Sequence, residues 1–152
     1  MLTVQDILRV KQPDVVMTSA DVTVAEAAQI MTKAVIGSII VKDGDKPAGI
    51  FTERDLLQRV VAAGRDPHKT TLGEVMSSPV KTCRLDEPVD QCALRLKRGH
   101  FRHMAVVDEH GRLVGLISLR DVMAGQLKED DLAFGEIMAA ELSEHEDRSL
   151  GM

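Results

Sequence analysis

The stretch Gly49-Ile50-Phe51-Thr52-Glu53-Arg54-Asp55 returns 66 positions later as Gly115-Leu116-Ile117-Ser118-Leu119-Arg120-Asp121. Upstream of it, Ile39-Ile40-Val41 falls on Ala105-Val106-Val107, and the turn Asp43-Gly44-Asp45-Lys46 falls on Glu109-His110-Gly111-Arg112. Further back the offset becomes 65, where Val24-Ala25-Glu26-Ala27-Ala28 matches Val89-Asp90-Gln91-Cys92-Ala93. One residue of slack between helix and strand accounts for the change. The chain up to about residue 125 therefore reads as two copies of one supersecondary unit.

Each copy carries the same series of elements. Val24, Ala27, Ala28 and Met31 recur at helical spacing, as do Val89, Cys92, Ala93 and Leu96. A short β-branched strand follows each helix, Ile36 to Lys42 and Arg102 to Val107. A glycine-containing turn then leads to a second strand, Ala48 to Phe51 or Leu113 to Ile117, which predicts a hairpin. A second helix is expected over Glu53 to Ala62 and over Leu119 to Leu127. The first of these stops at Gly64, and Arg65-Asp66-Pro67-His68-Lys69 reads as a linker. Extended pieces before the first helices, Val15-Val16 and Val80-Lys81-Thr82, complete a β-α-β-β-α order. The expected fold is mixed α/β (α+β), with the two copies related by a pseudo-two-fold axis. The strands are apolar on both faces, so helices should cover the sheets, and pairing the two copies should bury the sheet faces left exposed. We divide the chain into repeat 1 with its lead-in (1–66), repeat 2 (67–127) and an acidic extension (128–152).

Composition narrows the function. The 152 residues are 44% hydrophobic but only 2% aromatic, limited to Phe51, Phe101 and Phe134. The core must be aliphatic, and the stacking platforms of single-strand nucleic-acid readers are missing. A formal net charge of −5 gives no footprint for a polyanion, so no nucleic-acid partner is expected. Runs such as Val35 to Val41 are far too short to span a bilayer, and no membrane association is expected. The start, Met1-Leu2-Thr3-Val4-Gln5-Asp6, shows no basic segment followed by an apolar one, so a cytoplasmic location is the default.

The junction Gly-apolar-x-Thr/Ser-x-x-Asp carries the chemistry. The hydroxyl residue ends a strand and can cap the next helix, and the carboxylate lies in that helix's first turn. The plainer reading is a capping box, Thr52 with Asp55 and Ser118 with Asp121, although Glu or Gln is the usual partner. The functional reading uses the same geometry. Free N–H groups at a helix start attract an anion such as phosphate, and the Asp beside them could accept both hydroxyls of a ribose. Duplication in identical context favours binding, although a structural repeat would duplicate a cap as well.

At these motifs the chain resembles a cystathionine-β-synthase (CBS) domain pair, the Bateman module, over roughly residues 3 to 127. The segments Gly49 to Asp55 and Gly115 to Asp121 carry the resemblance, supported by their hairpins and by Arg102-His103-Met104-Ala105-Val106-Val107-Asp108. It implies a regulatory module binding AMP, ADP, ATP or S-adenosylmethionine between the repeats, with no cofactor required. By that resemblance Asp55 and Asp121 hold ribose, and Thr52 and Ser118 help hold phosphate. Arg102 and His103 would meet the phosphates, which suits a planar guanidinium. Ile36 and Gly37 stand there in the first copy, so the clefts should differ. The repeat-2 residues are expected to support the more phosphate-competent site, and the other to be weaker or to take a less charged ligand. The base would rest on Val15, Val16, Val80 and Lys81, between the opening segment of one repeat and the hairpin of the other. The resemblance further implies a homodimer and an unidentified regulated protein. The alternative is an interaction or scaffold protein with this fold that binds no nucleotide.

Three remaining features stay secondary. His100, His103 and His110 with Cys83 and Cys92 lack the close Cys-x2-Cys or His-x3-His spacing of a structural zinc site, so no metal site is expected. The cysteines, nine apart, are expected to be buried or idle thiols. No Gly-x-Ser-x-Gly, His-Glu-x-x-His or Walker-type loop is present, which argues against an enzyme. Residues 129–152 hold eight acidic side chains and one basic one, with Leu132, Phe134, Ile137, Met138 and Leu142 among them, and read as an amphipathic helix that lies on its own module or else stabilises a dimer or binds a partner.

Overall fold

The computed structural model of the protein describes residues 1–11 and 15–128. The acidic extension beyond Lys128, with the helix expected there, lies outside the described residues. Helix α1 (Val4–Lys11) precedes the first copy: β1 (Met17–Ser19), α2 (Val24–Ala34), β2 (Ser38–Asp43), β3 (Lys46–Thr52) and helix α3 (53–61). The short helix α4 (Leu72–Val75) then precedes the second: β4 (Thr82–Arg84), α5 (Val89–Gly99), β5 (His103–Val107), β6 (Leu113–Ser118) and α6 (119–128). Each copy builds a three-stranded sheet, ordered β1-β2-β3 and β4-β5-β6. The first pair of each sheet is parallel and the second antiparallel, as a β-α-β crossover followed by a hairpin requires.

The opening strands begin slightly later than expected. Val16 and Lys81 nonetheless enter the ladder, their carbonyls accepting from the N–H groups of Ile40 (3.3 Å) and Ala105 (2.8 Å). Helix α3 starts as an α-turn (Glu53–Asp55) and widens into a π-helix over Leu56–Val61, with the Ala62 N–H bonded to the Leu57 carbonyl at 2.9 Å. The expected linker is tied down: the Pro67 carbonyl accepts from Ala25 N–H, and Thr70 Oγ1 donates to the Asp66 carbonyl at 2.8 Å.

Alternation along the strands decides the packing. Ile39, Val41 and Phe51 face α2 and α3, in a core with Val24, Met31 and Val60. Met104, Val106 and Ile117 face α5 and α6, in a core with Val89, Leu96 and Val122. The intervening residues point the other way. Ile40 and Ile50 of one sheet meet Ala105 of the other, with Val80, Val15, Leu113 and Leu116 around them. Each sheet is thus covered by its own helices on one face and by the other copy on the second.

The two lead-in helices cross over. Leu72 and Val75 of α4 complete the core of the first copy, and Val4 and Ile7 of α1 complete that of the second. Matching hydrogen bonds seat them. Leu72 and Gly73 donate to the carbonyls of Val22 and Ala20, while Val4 and Gln5 donate to those of Glu87 and Leu85, all at 2.8–3.0 Å. Asp6 accepts from the Thr3 N–H and hydroxyl at the start of α1, and this bonding lowers its pKa. Residues at the start of the chain are therefore structural members of its second half.

That placement makes a specific prediction. Ile7→Ala removes a buried side chain from the second copy's core, at a cost of about 2–4 kcal/mol. Hydrogen exchange should speed up first in β4–β6, far along the chain, before β1–β3; the reverse order would contradict the crossing of the helices.

Candidate functional site

Each motif begins with a glycine that lets a lead-in helix approach the hairpin. A Cβ on Gly49 would lie 2.7 Å from Met76 Sδ and 2.9 Å from the Ser77 carbonyl oxygen. One on Gly115 would lie 2.8 and 2.9 Å from the two Leu8 methyls. Three residues on, the hydroxyl side chain ends the strand and caps the helix.

At the first motif the capping box forms. Thr52 Oγ1 accepts from the Asp55 N–H at 3.3 Å, and the Asp55 carboxylate accepts from the Thr52 N–H at 3.0 Å and its hydroxyl at 3.2 Å. The other carboxylate oxygen accepts from Ser77 Oγ at 3.1 Å and lies 3.6 Å from Arg59 Nε. Arg59 also donates to the Met76 carbonyl at 2.9 Å, so this one arginine joins α3 to the end of α4. Asp55 is buried, yet a carboxylate offers about four acceptor positions, and capacity remains for a ligand hydroxyl. At the second motif the Ser118 N–H donates to Asp121 at 2.8 Å, and Ser118 Oγ accepts from the Asp121 N–H at 3.1 Å.

The strand beside each motif supplies the neighbouring groups. Thr52 is paired with Ser38, and Ser118 with His103. The next N–H, of Glu53 or Leu119, donates to the carbonyl of Gly37 or Arg102, at 3.0 and 2.8 Å. The register therefore sets Gly37 and Ser38, not the expected Ile36 and Gly37, against Arg102 and His103, because the offset of 65 still holds at the strand entry, and these residues stand at the helix starts.

Two clefts result. One, of about 540 Å³, is lined by Gly37, Ser38, Thr52, Glu53, Arg54 and Asp55 from the first copy. Ile50 and Ser77 also line it, and across it stand His100, Phe101, Arg102 and His103. The other, of about 610 Å³, is lined by Arg102, His103, Ser118, Leu119, Arg120, Met123, Ala124 and Leu127, all from the second copy. Arg102 and His103 thus form a shared wall, and the basic pair does not by itself separate the two clefts. The structure brings Thr52, Asp55, Arg102 and His103 together, and places Ser118 with the same basic pair. Val15 and Val80 pack in the sheet-to-sheet cluster, Val16 packs against the first copy's core, and Lys81 is exposed at the start of β4. Ser77 is the site residue that sequence reading missed. It stands just past α4, and only the crossing of the lead-in helices carries it to Asp55.

Cys83, Glu87 and Cys92 form a separate cluster, their sulfur and carboxylate ligand atoms all within 4.8 Å of one another. Hydrogen bonding with Cys92 and burial push the Cys83 thiol up, whereas the same contact lowers that of Cys92.

The sequence profile of the CBS domain matches residues 4–62 and 72–128, one span for each copy. The chain belongs to the CBS domain family. A Methanopyrus kandleri protein is 35% identical over 115 residues, spanning 75% of this chain and 59% of its own length. This CBS pair therefore accounts for a little over half of that relative. The CBS domain protein PAE2072 of Pyrobaculum aerophilum, solved as its AMP complex, superposes with a TM-score of 0.71 at 28% identity, covering 79% of this chain and 89% of that one. The CBS pair of protein MJ0100, solved with 5′-methylthioadenosine and S-adenosyl-L-methionine, gives 0.72 at 28% identity, covering 85% and 98%. This is a mixed α+β tandem CBS pair, as the paired motifs imply. Among its described residues no helix is long and apolar enough to cross a membrane.

The two motif glycines should respond differently to a methyl group. In Gly49→Ala the new Cβ meets a backbone carbonyl, so the strand must shift, at about 1–3 kcal/mol. In Gly115→Ala it meets only leucine methyls, which can rotate away. Urea midpoints should therefore fall further for Gly49→Ala; equal falls would show that the close approach at Ser77 is not limiting.

Proposed function

We propose that this CBS pair is a regulatory module that binds an adenosine-containing ligand in the cleft shared by Thr52, Asp55, Arg102 and His103. One observation carries the reading: a buried carboxylate and a capped helix start from one copy face an arginine and a histidine from the other. A ribose and a phosphate need those two kinds of partner, a carboxylate for hydroxyls and a guanidinium fork for phosphate oxygens. AMP, ADP, ATP and S-adenosylmethionine are the candidate ligands, and the complexes of the two structural neighbours support that class. The base would lie toward the aliphatic segments at Val15-Val16 and Val80-Lys81.

The second cleft, lined by Ser118 beside the Asp121 it caps, would be its pseudo-symmetric mate. Because Arg102 and His103 border both, a ligand in one cleft would change the electrostatics of the other. Bound ligand would act on a partner by favouring one relative pose of the two copies, by no more than its differential affinity for the poses. The regulated protein is proposed to be separate from this chain, and the module itself non-catalytic and cytoplasmic. A homodimer is supported by exposed apolar side chains at equivalent places on the second helices, Leu57 and Val61 on α3 and Met123 and Leu127 on α6.

Calorimetric titration with the four ligands tests the reading. We expect saturable binding, weakened roughly 10- to 150-fold by Arg102→Ala, the loss of charged hydrogen bonds worth about 1.5–3 kcal/mol. Asp55→Ala should weaken every ligand that carries ribose. Absence of binding at millimolar ligand would instead favour a scaffold protein that keeps the CBS fold without a nucleotide.

A further inference from the structure

The cluster at the far end of α5 is independent of the clefts. Cys83 is the inward residue of β4, and Cys92 lies on the buried stripe of α5 with Val89, Ala93 and Leu96. Between strand and helix the chain turns back, and the Glu87 carboxylate is drawn inward. It accepts from the Arg84 N–H at 3.0 Å and lies 3.8 Å from Cys92 Sγ. Arg95 holds both its oxygens, at 3.1 and 3.3 Å, and reaches the Thr82 carbonyl at 2.6 Å. Cys92 stands two helical turns, about 12 Å, from His100 at the cleft end of the same helix.

The duplication shows that this arrangement is an addition to the fold. At an offset of 65, Cys83, Glu87, Cys92 and Arg95 correspond to Thr18, Val22, Ala27 and Ile30. The first copy builds the same strand, turn and helix with none of these groups, so the fold does not need them. All four differ together in the second copy.

From these contacts we infer that Cys83, Cys92 and Glu87 form a binding site for a thiophilic divalent ion, zinc above all. A tetrahedral zinc holds sulfur at ~2.3 Å and carboxylate oxygen at ~2.0–2.2 Å, which sets neighbouring donors about 3.5–3.8 Å apart. The Glu87–Cys92 separation of 3.8 Å already meets this, and a contraction of roughly 1 Å or less brings in Cys83. Two sulfurs select against hard ions such as magnesium and calcium, which prefer oxygen. The charges also close. Two thiolates and a carboxylate are balanced by the ion and the Arg95 guanidinium, leaving the buried site neutral. Arg95 and the Arg84 N–H hold Glu87 in place, as outer groups do around metal-bound carboxylates. Both cysteines are buried, but the Glu87 side chain is 28% exposed, so an ion enters past it and a water fills the fourth position. Binding replaces two thiol protons, which leave to solvent. The ion would tie β4 to the start of α5, and so stabilise the second copy alone.

Cobalt(II) titration of the reduced, chelator-treated full chain provides the test. The sequence has no Trp or Tyr, so the near-ultraviolet thiolate-to-cobalt band is unobscured. We expect one saturable equivalent per chain, displaced by equimolar zinc. Cys83→Ala and Cys92→Ala should abolish the band, while Glu87→Gln should keep it and weaken binding roughly 10- to 100-fold. Should the cysteine variants fail to fold, mass spectrometry of the wild-type chain alkylated with and without one equivalent of zinc reads the same chemistry, as zinc-dependent protection of both cysteines. A thiolate band that survives Cys92→Ala would come from Cys83 without its proposed partner and overturn the proposal. So would absence of a thiolate band, or a chain two hydrogen atoms lighter that takes up no metal, which is a disulfide formed by air oxidation.

Discussion

Everything in this protein depends on the contact between the second faces of its two sheets. Ile40 and Ile50 on one side and Ala105 on the other are buried only because the copies meet. A three-stranded sheet with helices on one side leaves a row of apolar side chains in water on the other. The duplication supplies a matching row. The meeting is fixed at the hairpin end as well, where the Leu113 N–H donates to the Asp45 carbonyl across the interface at 3.0 Å. Each copy of about 60 residues would be marginal alone, and the paired core, together with the crossed helices α1 and α4, removes that difficulty.

The site follows from the same contact. Once the sheets face each other, the start of α3 in one copy lies across a cleft from the strand entry of β5 in the other. Thr52 and Asp55 are positioned by their own capping box, and Arg102 and His103 by the entry to a strand whose register is set in the core. The parts that hold the fold and the parts that would hold a ligand are thus nearly the same residues. Ser77 shows how closely. Two backbone hydrogen bonds pair it with Ile50, and its hydroxyl bonds Asp55, so a lead-in segment, a hairpin and the motif carboxylate meet at one residue.

Much of this was legible in the sequence. The repeat fixed the element order, the strands and helices fall close to where periodicity put them, and Thr52, Asp55, Arg102 and His103 were singled out before their common cleft was seen. What could not be read is what depends on pairing between copies. The crossing of α1 and α4 leaves no local trace, because a lead-in helix packed on either copy needs the same apolar face. Ser77 was invisible for that reason. The cysteines are buried free thiols, as their spacing suggested, but their meeting was hidden: spacings of two or three residues mark clusters within one turn or loop, whereas Cys83 and Cys92 meet across a strand and a helix. Their nine-residue separation becomes short only when the turn at Glu87 folds back.

The central claim is that one ligand bridges groups from both copies. Amide chemical shifts of the isotope-labelled full chain during an AMP titration test it most directly. The account predicts that Thr52 and Glu53 move together with Arg102 and His103, following a single binding curve. Shifts confined to one copy, or two sets of amides following different curves, would contradict it.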